Sequence, residues 1–348
     1  MNKIYKRGKI SSLNLFLILC VSRLVFLMTY AQSLSYGKIK NDIIISIVLS
    51  YAVTALAALP AVLCVAKGKN PLKIKILSRF YFFYIAYIAS VEAARFSYFS
   101  SVHVNRQSNN FLFAVLIVAA CAYGAFLGIE SLGRFSPLCA FSLGAGIVLL
   151  ALFNFRNFDY LNFFPIVENE TPEIVKNALR FSSNSSEIVL LLALSQKVNG
   201  KCTKPVYGAL GISMASSLFV MSMAIGVLGG YISTQPFPVY ALSQMANIQN
   251  FGRLDAVHTA VWILAAFLKL ACLIYSCALC LKFKSHKLAC AFSAVFVLIF
   301  STVFGKLLFE MQSNMATTAL FAVFCIVVPI FALIVKKRNY GDELLENY

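Results

Sequence analysis

The chain has 348 residues, 60 % of them apolar and 12 % charged, with a formal net charge of +17. Soluble domains carry about 25 % charged residues, so there is too little polar material here to cover a soluble globule. The basic excess sits in short clusters between apolar runs, not along one face, which argues against a nucleic-acid surface and fits the loops of a membrane protein.

Lys3, Lys6, Arg7 and Lys9 precede the first apolar run, Leu13–Ala31. The layout is that of a signal peptide, with Thr29-Tyr30-Ala31 as a tolerable cleavage site. The run's length, the charge at Arg23 and the further runs behind it make it a retained helix. Those runs are Asp42–Ala66, Leu77–Phe99, Phe111–Ile129, Phe135–Phe155, Glu173–Gln196, Tyr207–Tyr231, Leu254–Leu281, Leu288–Gly305 and Ala316–Val335. A spanning helix needs about 20 mostly apolar residues, which these supply. The sixth run of the chain is the weakest, because Arg180 and several small polar residues interrupt it.

With the N-terminus inside, ten spans give the inner segments more than twice the basic residues of the outer ones. An odd number of spans would scramble that alternation. The expected architecture is therefore an all-α, polytopic transmembrane domain over residues 1–348, in a cell membrane, with both short tails cytoplasmic. Two longer outer segments, Arg156–Pro172 and Ile232–Arg253, are too apolar for solvated loops and are expected to hold short helices against the outer surface.

Ten cysteines are scattered along the chain, nearly all in apolar runs, where Cys behaves as a small hydrophobe. Cys277-x-x-Cys280 has no second Cys pair and no strand beside it, so neither a metal site nor a redox motif is expected. Gly124 and Gly128 form a G-x-x-x-G, read as helix packing. There is no P-loop, G-x-S-x-G or H-E-x-x-H, so no enzyme activity and no cofactor is expected.

A charge at the bilayer centre costs at least about 2.5 kcal/mol, so each one needs a reason. Arg23 lies midway along the first span and has no opposite charge in its own helix; Glu92 or Glu187 is the candidate partner. Glu92 and Arg95 are three residues apart and share one helix face. They either neutralise each other or mark a solute pathway. Lys269 lies within the eighth span, either buried for function or snorkelling. Arg23, Glu92, Arg95, Glu187 and Lys269 together are the candidate intramembrane charge network. Asp255 and His258 open the eighth span, where His258 reads as an interfacial group. Phe80, Tyr81, Phe83, Tyr84 and Tyr87 gather in one half of the third span, as an interfacial belt or, for one or two of them, a cavity wall.

The sixth segment is the most informative. Glu173 to Arg180 reads as a short helix behind Pro172. Phe181-Ser182-Ser183-Asn184-Ser185-Ser186 follows, then Glu187 to Ser195 is apolar again. Ser and Asn side chains compete for backbone hydrogen bonds and weaken a helix. Such a break at membrane depth is tolerated inside protein or beside water, and broken helices present their ends to ligands in transporters. The alternatives are an intact polar helix, or an outer loop ending near Ser186.

Three stretches together resemble a known family. They are Gly128-Ile-Glu-Ser-Leu-Gly-Arg134-Phe-Ser-Pro137, Leu161-Asn-Phe-Phe-Pro165-Ile, and Phe237-Pro238-Val-Tyr-Ala-Leu-Ser-Gln-Met followed by Phe251-Gly-Arg253-Leu-Asp255 and Trp262. They are similar to the B subunits of spore germinant receptors, a branch of the amino acid–polyamine–organocation transporter superfamily. The opening Ile10-Ser-Ser fits the start of that family. The resemblance implies a LeuT-like bundle of two inverted five-helix repeats, about 11–155 and 173–336, with the first and sixth helices broken near the midplane. It implies a small nutrient ligand, often an amino acid, and partner A and C subunits in the spore inner membrane. Placed beside those breaks, Ser22, Arg23, Phe26, Tyr87, Phe181, Ser182, Ser183 and Asn184 are the candidate ligand-binding residues. Val21-Ser22-Arg23-Leu24 lacks the Gly that relatives often carry there. Lys269 would stand where related transporters hold sodium. A working amino-acid permease and a ligand-free scaffold are the competing readings.

Overall fold

A computed structural model describes residues 8–28, 41–104, 109–167, 169–235, 237–246, 254–313 and 315–334. The basic N-terminal cluster from Lys3 to Arg7, the Thr29-Tyr30-Ala31 stretch, Glu168, Pro236 and Arg253 lie outside them. The described chain is almost wholly helical, in keeping with its apolar runs. Among the described residues, eight helices are long and apolar enough to cross a membrane. They are α2 (Ile43–Ala66), α3 (Lys75–His103), α4 (Asn110–Leu127), α5 (Ile129–Asn154), α8 (Thr203–Leu228), α10 (Leu254–Leu281), α11 (His286–Val303) and the stretch Ala316–Ile334. That last stretch comprises α13 (Ala316–Phe321), a π-turn at Ala322–Val327 and α14 (Val328–Ile334). The short helix α12 (Gly305–Ser313) precedes it.

Two further apolar segments are shorter. Helix α1 covers Ser12–Met28, and the sixth segment is a broken pair, α6 (Thr171–Ser183) and α7 (Glu187–Leu194). The first helix corrects one expectation. The resemblance implies a break within it, yet α1 runs without interruption through Val21-Ser22-Arg23-Leu24. With neither Gly nor Pro there, and with both polar side chains bonded outward to other helices, nothing opens its backbone ladder.

Helix α1 sits centrally, against α5, α8, α10 and the short α7. Helix α10 is the most enclosed long span, with 78 % of its most apolar window buried, whereas the same measure for α5 is 22 %. Leu56, Leu116, Phe141 and Leu152 point outward and are exposed. In a soluble protein a shell of this kind would be a liability, but against lipid it is the expected surface. Every residue of α7 is buried.

Short helices do form within Arg156–Pro172 and Ile232–Arg253, the two longer connecting segments. Phe155–Asn157 and Tyr160–Phe163 form 3₁₀ turns, and α9 covers Pro238–Met245. The first is docked on the end of α8: Asp159 N–H donates to Gly226 O at 2.9 Å and Asn162 Nδ2 to the same oxygen at 2.8 Å. Gly226 permits this approach, since a Cβ there would lie 2.3 Å from the Phe158 ring. At the other end of the molecule a two-residue parallel ladder joins β1 (Ile10–Ser11) to β2 (Val198–Asn199). Ser12 Oγ reinforces it by donating to Asn199 O and Lys201 O.

Candidate functional site: a buried charge network at a broken helix

The break between α6 and α7 is where the polar side chains converge. Arg23 reaches it from α1 and is 2 % exposed. Its Nη1 donates to Phe181 O at 3.3 Å and to Ser185 Oγ, and its Nη2 donates to Ser50 Oγ at 3.1 Å. Phe181 O and Ser185 lie at the end of α6 and in the break, so the guanidinium meets backbone that the helix no longer satisfies. Its plane lies over Tyr51, 4.7 Å from the ring centroid. Glu187 Oε2 is 3.8 Å away. Of the two carboxylates considered for Arg23, the structure therefore gives it Glu187.

Glu187 opens α7, where a helix dipole favours a negative charge. It is 2 % exposed, and neither carboxylate oxygen has a hydrogen-bond partner among the described residues. The break itself is tied down by its small residues. Ser22 and Ser186 hydroxyls meet at 2.8 Å, joining α1 to the break. Ser182 Oγ donates to Ser50 O and Ala178 O, and Ser183 Oγ to Arg180 O. Asn184 Nδ2 donates to Arg180 O at 2.8 Å.

A second cluster joins the first through Asn184. Arg95 Nη2 donates to Asn184 Oδ1 at 2.8 Å, and Arg95 Nη1 to Glu92 Oε1 at 2.9 Å. Lys269 Nζ, on α10, donates to the same Glu92 oxygen at 2.8 Å. Lys269 is 1 % exposed, so it does not snorkel. Phe26 separates the two guanidiniums, with Arg95 5.0 Å and Arg23 6.0 Å from its ring centroid. Phe181 meets Phe26 edge to face. Helices α1, α2, α3, α6, α7 and α10 thus share one polar centre.

Seven of the eight candidate ligand-binding residues gather here. Tyr87 turns elsewhere, its hydroxyl 2.7 Å from Thr317 Oγ1 on α13. Reading the sequence missed the contribution of α2. Ser46, Ser50 and Thr54 recur every fourth residue, are fully buried, and line one face toward α6. Ser46 Oγ donates to Ile174 O, and Thr54 Oγ1 lies 3.3 Å from Ser185 Oγ. That spacing was the available signal. His258 also departs from expectation: it is buried, and its Nε2 has no hydrogen-bond partner among the described residues.

One small cavity adjoins this centre among the described residues. A cavity of about 10 Å³ is lined by Arg23, Phe26, Leu27, Ile47, Tyr51, Phe181 and Ser217. Such a volume is near the limit for one water molecule. Among the described residues, no group of three His, Cys, Asp or Glu side chains is placed to hold a metal ion.

Enclosed charges around a broken helix, in a bundle with a lipid-type surface, define a multi-pass membrane protein of transporter type. Residues 74–307 match the model of the spore germination protein family, and the chain belongs to that family. No individual curated protein matches it. Among solved structures it is similar to a Na+-coupled sialic acid symporter in a substrate-bound, outward-open state. The TM-score is 0.62 at 15 % identity, covering 92 % of this chain and 80 % of the symporter. At that identity the likeness concerns the fold.

Proposed function

We propose that this protein is the ligand-sensing membrane subunit of a spore germinant receptor, in which a small nutrient is bound at the α6–α7 break. The observation that carries the proposal is the buried network from Arg23 through Asn184 and Arg95 to Lys269. Charges enclosed at membrane depth persist where function needs them. In this reading the bundle has ten spans in two inverted repeats, about 11–155 and 173–336, with α1 and the α6–α7 pair in equivalent positions. Both termini are cytoplasmic, and A and C subunits receive the signal in the spore inner membrane.

Ser22, Arg23, Phe26, Phe181, Ser182, Ser183 and Asn184 surround the ligand once the centre opens. Binding shifts the bundle toward the open state by the difference in affinity between the two states. Lys269 supplies a fixed cation, so the response is independent of sodium. The transporter-type fold favours a second reading, a permease that moves the same solute. Reconstituted into proteoliposomes alone, a sensor binds a nutrient without accumulating it. Sustained uptake of labelled solute would establish the permease instead. A Ser183→Leu variant at normal membrane levels that kept its germination response would overturn both readings.

A further inference from the structure

A cleft of about 640 Å³ lies at one end of the bundle, where four spans begin or end. Leu127 closes α4, Ile129 opens α5, Lys282 follows the last residue of α10 and His286 opens α11, and all four line it. The volume is in the usual range for a small-molecule pocket. Lys197, Lys282 and Lys284 supply its charge. The one carboxylate among the described lining residues, Glu130, pairs with Arg134, whose Nη2 is 2.6 Å away. The sequence ahead of Gly8, another lining residue, adds Lys3, Lys6 and Arg7 and no acid. Basic residues gather at one side of membrane proteins in general. Here three of them, from two separate connections, line one concavity.

Lys282 takes φ +52° directly after α10, in the left-handed conformation that glycine adopts most easily. Its Nζ donates to Lys73 O at 2.9 Å. That bond anchors the ammonium, which has two further N–H groups to give another acceptor. Between the lysines the wall is apolar, through Leu127, Leu279 and Phe283. Leu127 and Phe283 are exposed, as is Leu288 in the first turn of α11. They continue the shell of exposed apolar side chains that the spans present to lipid. Basic pockets between spans suit anionic lipid headgroups. A soluble phosphate shares the headgroup's chemistry but gains nothing from the apolar wall.

We infer that this cleft binds one anionic phospholipid, its phosphate among Lys197, Lys282 and Lys284 and an acyl chain along Leu127 and Phe283. The bound lipid bridges the ends of α4, α5, α10 and α11 and stabilises their packing.

The test is thermal unfolding of the purified full chain in phosphatidylcholine nanodiscs carrying rising fractions of phosphatidylglycerol, at fixed ionic strength. A ligand of the folded state raises the melting temperature. Phosphatidylglycerol should raise it. In Lys197→Gln/Lys284→Gln, which spares the Lys282–Lys73 contact, the fraction needed for the half-maximal rise should increase about tenfold or more, in line with two lost lysine contacts. Lys67→Gln/Arg79→Gln removes the same charge from exposed residues outside the cleft and should leave the titration close to wild type. Glycerol 3-phosphate in pure phosphatidylcholine discs should not reproduce the rise. Equal responses from the two double variants would reduce the effect to general attraction by a chain of net charge +17 and overturn the site. A rise with glycerol 3-phosphate that matches the lipid would assign the cleft to a soluble phosphate and overturn the lipid. No response to phosphatidylglycerol would leave the cleft to an acidic protein segment and also overturn the proposal. Native mass spectrometry of the wild-type chain gives a readout that needs no variant. One phosphatidylglycerol should stay bound after release from mixed discs, and retention no greater than that of phosphatidylcholine would refute the site.

Discussion

Glu92→Gln removes the one negative charge that two buried cations share, leaving a neutral amide in its place. In the wild-type chain Glu92 Oε1 accepts from Lys269 Nζ at 2.8 Å and from Arg95 Nη1 at 2.9 Å. Arg95 keeps Asn184 after the substitution, but Lys269 loses its only salt bridge shorter than 4 Å among the described residues. Breaking a buried pair from one side costs about 3–5 kcal/mol, because the remaining charge is uncompensated. Replacing both partners by neutral groups removes that penalty, so Glu92→Gln/Lys269→Met should be more stable than Glu92→Gln. The coupling in a double-mutant cycle should reach about 2–3 kcal/mol, at the upper end for contacting residues. The assay is unfolding in nanodiscs, following intrinsic fluorescence of the single Trp, Trp262, which is buried beside Phe96 and Phe99. A Glu92→Gln chain within about 1 kcal/mol of wild type, or a double variant weaker than the sum of the singles, would refute the reasoning.

Other substitutions probe separate contacts. Ser50→Ala leaves Arg23 Nη2 without its hydroxyl acceptor and should cost about 1–3 kcal/mol by the same unfolding assay. Gly200→Ala should open the β1–β2 ladder, since Gly200 has φ +118° and a Cβ there would lie 2.5 Å from Ser12 Oγ. The strain is about 1–3 kcal/mol, and amide exchange at Ile10, Ser11 and Asn199 should accelerate. Gly226→Ala should displace the Phe158 ring and expose the Tyr160–Phe163 turn to limited proteolysis. All ten cysteines are buried thiols, so an impermeant maleimide should leave the folded wild-type chain unlabelled, and label appears only on unfolding.

The apolar runs were readable because lipid demands length and hydrophobicity together, and those two properties survive in composition alone. The interruption after Phe181 was readable because consecutive Ser and Asn residues are rare in a span. The uninterrupted α1 was not: its break was carried over from a family, and nothing local in Val21–Leu24 supports one. The part played by α2 was hidden because Ser46, Ser50 and Thr54 stand singly in an apolar run, and only their four-residue spacing marks them. Partner choice among Arg23, Glu92, Arg95, Glu187 and Lys269 depends on how four helices are arranged, which local pattern does not encode. The β1–β2 ladder has two residues on each side, too few for periodicity to mark.

Substituted-cysteine labelling of the α6–α7 break in intact membranes tests most directly whether the polar centre is enclosed. Ser182, Ser183, Ser185 and Ser186 are at most 2 % exposed. Against the silent background of the buried native thiols, Ser183→Cys and Ser186→Cys should resist an impermeant maleimide added outside, at rates far below those of an exposed control such as Thr234→Cys. Rapid labelling of Ser182→Cys through Ser186→Cys, equal to that control, would show a surface loop and contradict the enclosed site.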